Sequence, residues 1–379
     1  MRVAFHAPLK SPDHPVPSGD RHLARALLQA LDYAGHEGIV ASRFRSFDKS
    51  GDAARQARLQ RVGDRIAQRL VARWRDGRPP DAWLTYHLYH KAPDAIGPVV
   101  ARALRIPYIV AEASVSPRQR DGAWARGHAL AVDAVRAADA IICLNPRDVP
   151  QVRRTRGIDA SVTLLPPFID VGAFTAHADI AGRARRSALP PRLMTVAMMR
   201  DGAKLASYRA LAAALARLRD LDWSLRVVGD GPARADVEDA FAGMAERVSF
   251  LGAREAPAIA ALLGDSDLFV WPAIDEAIGV AFVEAQACGV PVVGGDSAGV
   301  ATVVDAGRTG LLAPEGDIGA FAAATRALLT DGPFRDRLGA AAASYVRARH
   351  DVPAAAAVLD AVLRDAVARR RASALTPTA

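Results

Sequence analysis

Two glutamates, Glu276 and Glu284, stand eight positions apart in a stretch that reads as strand, loop, helix and strand. An apolar run over 268–271 predicts a buried strand, and 280–288 predicts a helix that Gly289 ends. A fully helical interval of this length spans roughly 12 Å, at about 1.5 Å per residue. Two carboxylates at that separation suit a ligand with hydroxyl-rich groups at both of its ends.

The residues between the two glutamates offer the complementary chemistry. Ile278, Gly279 and Val280 present backbone N–H groups at a predicted helix N-terminus, a position that attracts anions. The unit therefore predicts a site for a ligand with two polyol ends and a charged centre. The alternative interpretation is an ordinary βαβ unit with solvated glutamates, since such pairs are common on surface helices.

The pattern E-x7-E followed by ACGVPVV, residues 287–293, resembles the retaining nucleotide-sugar glycosyltransferases of family 4, also called group 1. The resemblance implies the α/β GT-B fold, with two facing Rossmann-like doubly wound parallel-sheet domains and an interdomain cleft. It implies that Glu276 bonds the donor sugar and Glu284 the ribose. It is specific from Thr195 to Asp317 and generic in the first half of the chain.

Arg200 and Lys204 follow the predicted strand 193–199, where this family keeps an arginine and a lysine for the donor diphosphate. The interval is four residues here, whereas five is frequent in the family. The chain has only four lysines, so a lysine at this point is unexpected as filler. Arginine forks onto phosphate oxygens and lysine acts as a point charge, and both suit a diphosphate.

Two glycines resemble further parts of the donor site. Gly231 lies in a turn similar to the G-x-G loop of the family, and Gly252 precedes a turn similar to the segment that cradles the base. The triplet 265–267, Asp-Ser-Asp, matches the D-x-D metal motif of a different glycosyltransferase fold, but we interpret both acids as caps at a helix-to-strand junction. The expectation is therefore a nucleotide-diphosphate sugar as co-substrate, with no metal or other cofactor.

The loop after the first predicted strand is a candidate acceptor side. The family has a glycine-containing loop here that faces the acceptor, and this chain keeps only Gly19 of the usual glycine pair. Lys10 lies in the same loop and is a second candidate. The absence of a G-x-G-x-x-G pattern argues against a dinucleotide dehydrogenase.

His87 and Lys91 follow the predicted strand 82–86. Because open α/β sheets bind ligands at the carboxyl ends of their strands, we expect both side chains to face the acceptor. A metal site at His87 and His90 is the weaker interpretation, since no third ligand accompanies them.

Glu112 lies in the predicted strand 107–114, where family members often place a histidine close to the reacting sugar. A carboxylate there can orient or deprotonate an acceptor hydroxyl, which makes Glu112 a catalytic candidate beside Glu276, Arg200 and Lys204. The alternative is a capping or ion-paired acid.

The composition, 51% hydrophobic and 24% charged over 379 residues, predicts a soluble protein of two domains. Residues 1–180 carry 26 Lys and Arg against 18 Asp and Glu, which accounts for the whole net charge of +8. An anionic partner such as a membrane surface is therefore expected on the first half. A nucleic-acid partner is not, because the basic clusters lack interleaved aromatic residues.

The absence of a signal-peptide core and of a long apolar run predicts a cytoplasmic protein, peripheral at the inner membrane face if the basic half binds lipid. Cys143 and Cys288 read as buried thiols. The predicted helix 53–75 carries an arginine stripe, at positions 55, 58, 61, 65 and 69. A membrane-surface helix is one interpretation, and the solvated face of a packed helix is the favoured one.

The sequence thus predicts an acceptor-binding domain over 1–175, a donor domain over 190–350, and a helix over 353–371 that returns to the first domain. The implied reaction moves a sugar from a nucleotide diphosphate to an acceptor hydroxyl with retention. Two alternatives stay open: a sugar-nucleotide 2-epimerase with the same fold, and a non-catalytic nucleotide-sugar binding protein. The resemblance leaves the donor base, the sugar and the acceptor unspecified.

Overall fold

A computed structural model describes residues 1–16, 18–157, 161–179 and 190–375. The chain divides into two compact units, Met1–Leu165 with the segment from Ala355 onward, and Pro166–Ala354. The first unit ends before the expected residue 175, because Val171 and Phe174 are buried in the hydrophobic core of the second unit.

The first domain is built on a six-stranded parallel sheet with strand order β2-β1-β3-β4-β5-β6. Its inner strands are near-continuous apolar runs, as expected for a sheet that helices cover on both faces, whereas its two edge strands are partly exposed. They are β1 (Arg2–His6), β2 (Glu37–Ser42), β3 (Ala82–Tyr89), β4 (Tyr108–Ser114), β5 (Ala140–Cys143) and β6 (Val162–Leu164). The helices between them are α1 (Gly19–Tyr33), α2 (Ala53–Arg75), α3 (Gly97–Leu104), α4 (Ala125–Ala137) and α5 (Val149–Arg156).

The second domain is also built on a six-stranded parallel sheet, with strand order β12-β11-β10-β7-β8-β9. Its strands are β7 (Arg192–Val196), β8 (Ser224–Val228), β9 (Val248–Gly252), β10 (Leu268–Trp271), β11 (Val292–Gly295) and β12 (Gly310–Ala313). Its helices are α6 (Val171–Thr175), α7 (Ala203–Ala216), α8 (Arg234–Ala240), α9 (Ala256–Gly264), α10 (Val280–Ala287), α11 (Ile318–Thr330) and α12 (Gly332–Arg349). Single 3₁₀ turns lie at Pro117–Gln119, Pro146–Asp148, Ala242–Arg247 and Val300–Thr302.

The last helix, α13 (Val352–Leu375), belongs to the first domain from Ala355 onward. It buries apolar side chains such as Leu359 and Leu363. Its Asp360 carboxylate lies 2.9 Å from the His36 imidazole. Across the described ranges, no helix combines the length and apolar character needed to span a membrane.

The strand orders place one topological switch point in each sheet. In the first domain the order reverses between β1 and β3, and in the second between β7 and β10. Ligands of doubly wound sheets bind at the carboxyl ends of the strands beside such a point, where the connecting loops diverge to opposite faces. Two places in the molecule are therefore favoured for binding.

Helix α2 packs its apolar stripe inward and leaves its arginine stripe outside. Leu70 and Trp74 are buried in the core of the first domain. The five arginines of the stripe are exposed, and one of them, Arg55, lies 3.6 Å from the Asp48 carboxylate. This arrangement agrees with the favoured interpretation of a packed helix with a solvated face.

Candidate functional site

The switch point of the second domain brings Lys204 and Glu276 together from segments 72 positions apart. Lys204 lies in the first turn of α7, which follows β7, and Glu276 lies in the loop after β10. The Lys204 Nζ donates to Glu276 Oε2 at 2.5 Å, and both side chains are partly buried. Lys204, the residue predicted to bind the diphosphate, is therefore paired with Glu276, the residue predicted to bind the sugar.

The Trp271 indole completes this group. Its Nε1 donates to Glu276 Oε2 at 3.4 Å, and the Lys204 ammonium lies 5.5 Å from the ring centroid. The ring of Tyr208 packs against Trp271 with a centroid distance of 4.8 Å. The two aromatic rings thus form the apolar wall against which the Lys204–Glu276 ion pair lies.

The loop that carries Glu276 is held by hydrogen bonds to two other segments, α7 and the loop after β12. The backbone N–H of Ile274 donates to Ser207 Oγ at 3.0 Å, and that of Asp275 donates to Glu315 Oε1 at 3.0 Å. Ala273 and Asp275 adopt positive φ angles of 54° and 50°. Non-glycine residues reach this region only under constraint, so the surrounding contacts impose the shape of the loop.

Gly299 fixes the end of the same loop by close approach. Its N–H donates to the Glu276 carbonyl at 3.2 Å, and Ser297 Oγ donates to that carbonyl at 3.3 Å. A Cβ at Gly299 would lie 2.4 Å from the Ala277 carbonyl carbon. Ser207, Ser297, Gly299 and Glu315 are positioning residues that the sequence reasoning missed, because nothing in the sequence indicates what these residues touch.

Gly279 ends the loop and starts α10 in the left-handed conformation, with φ 76°. Together with Ile278 and Val280 it lines a cavity of about 390 Å³. Lys204, Glu276 and Trp271 line the same cavity. Its other walls come from the ends of β7 and β8, the turn after β9, and helices α9 and α10: Val196, Ala197, Met198, Val228, Gly229, Asp230, Ala253, Arg254, Ile259, Ala281 and Phe282.

Glu284 lies one turn further along α10 and is half-buried. In the described part of the chain, no hydrogen bond or ion pair reaches its carboxylate, and it is not among the residues that line the cavity. Burial raises the pKa of Glu284 to about 7. A carboxylate in this state gains stability from a hydrogen-bond donor, and a ligand hydroxyl is one.

Arg200 is exposed and lies outside the cavity wall. Within the described ranges its guanidinium has no ion-pair partner. The structure therefore brings Lys204, but not Arg200, into contact with the other predicted donor residues.

The two glycines predicted in the donor site, Gly231 and Gly252, are required for different structural reasons. Gly231 has φ 154°, and a Cβ there would lie 2.2 Å from the Met199 carbonyl oxygen. Gly229, which the sequence reasoning did not select, is as closely packed, since a Cβ there would lie 1.8 Å from the Ala197 carbonyl oxygen, and it lines the cavity. Gly252 has φ 71° and open space around it, so conformation rather than close approach favours glycine there.

The two acids of the D-x-D triplet have structural partners, which corrects the expectation that both are helix caps. Asp265 Oδ2 accepts hydrogen bonds from Arg192 at 2.5 Å and from Arg226 at 2.8 Å. Asp267 Oδ2 accepts from the backbone N–H of Arg192 at 2.8 Å. Asp265 thus joins Arg192, at the amino end of β7, to Arg226 in the middle of β8, and Asp267 binds the first backbone N–H of β7.

The switch point of the first domain assembles a second polar group from three elements. Asp20 lies in the first turn of α1, His87 in β3 and Glu112 in β4. His87 Nδ1 lies 2.9 Å from Asp20 Oδ1 and 3.7 Å from Glu112 Oε2. The sequence reasoning selected His87 and Glu112 but missed Asp20.

The charges in this group shift one another's equilibria. Burial alone lowers the pKa of His87, but the hydrogen bond with Asp20 and the charge of Glu112 outweigh burial and raise it. The same hydrogen bond lowers the pKa of Asp20. Burial raises the pKa of Glu112 and also that of the neighbouring Asp148.

Three further residues were predicted on the acceptor side: Lys10, Lys91 and Gly19. Lys10 is close enough for its charge to lower the pKa of Asp20. The Lys91 ammonium lies over the Trp124 ring, 4.4 Å from its centroid. Gly19 starts α1 with no atom within 4 Å of a potential Cβ, so no steric reason for glycine exists there. Among the described residues no group of three or more His, Cys, Asp and Glu is arranged to hold a metal.

The two doubly wound domains together define the GT-B fold. The structure of the HepE protein of Anabaena in complex with UDP superposes with a TM-score of 0.70, at 18% identity, over 96% of this chain and 100% of that one. Residues 190–331 match the model of the family described as Glycosyl transferases group 1. The resemblance inferred from the E-x7-E and CGVPVV patterns is thereby confirmed over the second domain.

Curated relatives carry transferase names. The chain is 33% identical over 225 residues to D-inositol 3-phosphate glycosyltransferase of Stackebrandtia nassauensis, which covers 56% of this chain and 50% of the relative. It is 29% identical over 248 residues to alpha-D-kanosaminyltransferase of Streptomyces kanamyceticus, covering 64% and 63%. The matched region thus spans about half of the first relative and less than two thirds of the second.

Proposed function

We propose that this protein is a retaining glycosyltransferase that moves a hexosyl group from a nucleotide-diphosphate sugar to an acceptor hydroxyl. The observation that carries the proposal is the Lys204–Glu276 pair, which faces a cavity bordered by the N-terminus of α10. A cation and a helix N-terminus suit a diphosphate, and the neighbouring carboxylate suits sugar hydroxyls.

In the proposed complex the Lys204–Glu276 pair separates. The ammonium and the N–H groups of residues 278–280 hold the diphosphate, Arg200 closes over it from the solvent side, and Glu276 accepts hydrogen bonds from the sugar. Glu284 accepts from the ribose, which supplies the donor that its carboxylate lacks. Because these groups provide positive charge to the leaving diphosphate, the proposal needs no metal.

The proposed chemistry is a same-face substitution. The acceptor oxygen forms the bond to the anomeric carbon while the bond from that carbon to the diphosphate oxygen breaks. The acceptor proton passes to an oxygen of the departing diphosphate. The protein then contributes orientation and charge stabilisation, and no enzyme nucleophile is involved.

A peripheral contact with an anionic membrane surface is part of the proposal. The exposed arginine stripe of α2 and the net charge of residues 1–180 support it. The apolar face of α2 is packed in the core, so the contact would be electrostatic rather than inserted. We place the protein in the cytoplasm on this basis.

The test is thermal stabilisation by a panel of UDP-, GDP- and ADP-sugars, followed by transfer assays with the nucleotide that binds. We expect one nucleotide series to give a saturable shift that Glu284→Ala removes and that the exposed-site control Glu246→Ala retains. Formation of an isomerised donor without any acceptor would favour the epimerase instead, which none of the transferase-named relatives supports. Stabilisation without transfer or hydrolysis would favour a binding protein, and no stabilisation by any nucleotide sugar would contradict the proposal.

A further inference from the structure

The strongest unassigned feature outside the donor cavity is the Asp20–His87–Glu112 group at the switch point of the first domain. His87 and Glu112 lie on neighbouring parallel strands, between the paired positions Tyr86↔Ala111 and Leu88↔Ala113. Both have positive φ angles, 56° for His87 and 61° for Glu112. The two strands thus deviate from regular geometry at the same level, and the deviation brings the imidazole and the carboxylate side by side.

The imidazole is bound on one side only. Its Nδ1 faces Asp20, while in the described part of the chain no protein atom bonds to Nε2. The exposed fractions of the Asp20, His87 and Glu112 side chains are 33%, 21% and 15%. The group is therefore enclosed by protein on one side and open on the other. On the enclosed side the Tyr86 hydroxyl approaches the Glu112 carboxylate, and among the described residues no group forms a well-aligned hydrogen bond with Glu112 Oε2.

Acids dominate the surroundings of this group. Asp148 faces it from the end of β5 and is bonded by Ser114 Oγ at 3.1 Å. The Tyr86 hydroxyl faces Glu112 from β3, and Lys10 faces Asp20 from the loop after β1. Three carboxyl groups, Asp20, Glu112 and Asp148, thus act on one imidazole, while the Lys10 charge acts on Asp20.

We infer that Asp20, His87 and Glu112 form the acceptor subsite, and that it binds an uncharged polyol through neighbouring hydroxyl groups rather than a phosphate. This inference rests on the proposed function. His87 Nε2–H donates to one acceptor oxygen, and the carboxylates of Asp20 and Glu112 accept from adjacent hydroxyls. A phosphate in this place would meet three carboxyl groups, so charge disfavours it. Besides contacting the acceptor, Asp20 orients the imidazole, because its bond to Nδ1 directs Nε2–H toward the open side.

The experiment compares matched probes with the full-length protein and its identified nucleotide sugar. The probes are myo-inositol and glucose, each against its monophosphate. We expect transfer to an uncharged probe, and His87→Gln and Asp20→Asn should raise the acceptor KM about tenfold or more, as lost bonds between charged groups and hydroxyls do. The donor KM should stay within about twofold. The control His90→Gln, whose ring packs against Trp124, should change neither constant.

A histidine NMR titration adds a readout that a purely structural role would not reproduce. We expect His87 to titrate above the ordinary histidine pKa, Asp20→Asn and Glu112→Gln to lower its pKa, and the uncharged probe to shift its resonance. Preference for a phosphorylated probe, use of none of the four probes, or an unchanged acceptor KM in His87→Gln would overturn the inference. Nucleotide-sugar stabilisation of the wild-type protein, together with hydrolysis or transfer of the sugar, would show in each case that the proposed function itself stands.

Discussion

The two switch points of this molecule hold polar groups of opposite construction. In the second domain a cation and an anion, Lys204 and Glu276, are already paired beside a helix N-terminus. In the first domain an imidazole lies among carboxyl groups, with Asp20 at 2.9 Å and Glu112 at 3.7 Å from its Nδ1. The same position in the same type of sheet thus suits the anionic centre of the proposed donor in one domain and, by our inference, an uncharged polyol in the other.

The polarity of each site is opposite to what the net charge of its half of the chain suggests. The whole excess of +8 lies in residues 1–180, which contain the acid-rich group. The rest of the chain has no net charge and contains the site suited to a diphosphate. Net charge therefore describes the outer surface, such as the arginine stripe of α2, and says little about the polarity of a buried site.

The largest effect is expected from Lys204→Ala. The variant removes the cation that is paired with Glu276 in the cavity wall, so we expect kcat/KM for transfer to fall at least 100-fold, about 2.7 kcal/mol in activation free energy. Arg200→Ala should have a smaller effect, because Arg200 is exposed outside the cavity wall. Steady-state kinetics with the identified donor measure both.

Lys49→Ala is the matched control, since Lys49 is an exposed lysine of the first domain. It should retain full activity. If Lys204→Ala kept more than a tenth of the wild-type kcat/KM, the donor cavity would not be the place where the diphosphate is stabilised.

A glycine pair compares the two loops directly. Gly299→Ala would bring a Cβ within 2.6 Å of the Glu276 carbonyl oxygen, so the loop must move. We expect a loss of about 1–3 kcal/mol in the free energy of unfolding and a weakened donor affinity. Gly19→Ala meets no atom within 4 Å and should be neutral or stabilising by up to about 1 kcal/mol. Urea unfolding and nucleotide-sugar titration of both variants check this, and equal effects would mean that close packing does not position Glu276.

Glu284→Gln tests the unpaired carboxylate of the donor domain through pH. Burial raises the folded-state pKa of Glu284 to about 7 from an ordinary value of 4.5, so ionisation destabilises the fold as pH rises through this interval. Below pH 4.5 the variant and the wild type should be equally stable. Above pH 7 the variant should be more stable, by about 2 kcal/mol for a half-buried group. Thermal unfolding without ligand across pH 4–8 measures the difference, and a pH-independent difference would refute the raised pKa.

Local patterns predicted the elements well, because their causes are local. The predicted helix 53–75 coincides with α2, and the predicted strand 268–271 coincides with β10. The partners across the sheets were not predictable in the same way. The contact of Glu315 with the backbone of Asp275 joins residues 40 positions apart, and that of Asp20 with His87 joins residues 67 apart. The type of a residue does not predict such a contact until the order of the strands in the sheet is known.

The backbone conformation of the two sites was equally hidden. Positive φ angles are expected at glycine, but here they occur at His87 and Glu112 in the first domain and at Ala273 and Asp275 in the second. Tertiary contacts impose these conformations, so the backbone propensities of the residue types do not predict them. The resemblance to a family nevertheless pointed to Glu276 in the second domain and to the position of Glu112 in the first, whereas no motif marked Asp20.

The smallest effect on stability is expected from the exposed arginine stripe of α2, which lies in the half of the chain that carries the excess positive charge. Replacing Arg58, Arg61, Arg65 and Arg69 with glutamine removes exposed charges from α2 while its buried Leu70 and Trp74 remain. Unfolding free energy should change by less than about 0.5 kcal/mol per substitution, because none of these four arginines takes part in an ion pair in the described ranges. Binding to vesicles rich in anionic lipid should nevertheless fall strongly, since each basic residue near such a surface contributes about 1 kcal/mol, and added salt should weaken the wild type in the same way. The second-domain variant Arg209→Gln and vesicles of neutral lipid are the controls. Unchanged vesicle sedimentation in the fourfold variant would leave the basic half of the chain without a membrane role and would restrict its charge to the solvated face of a packed helix.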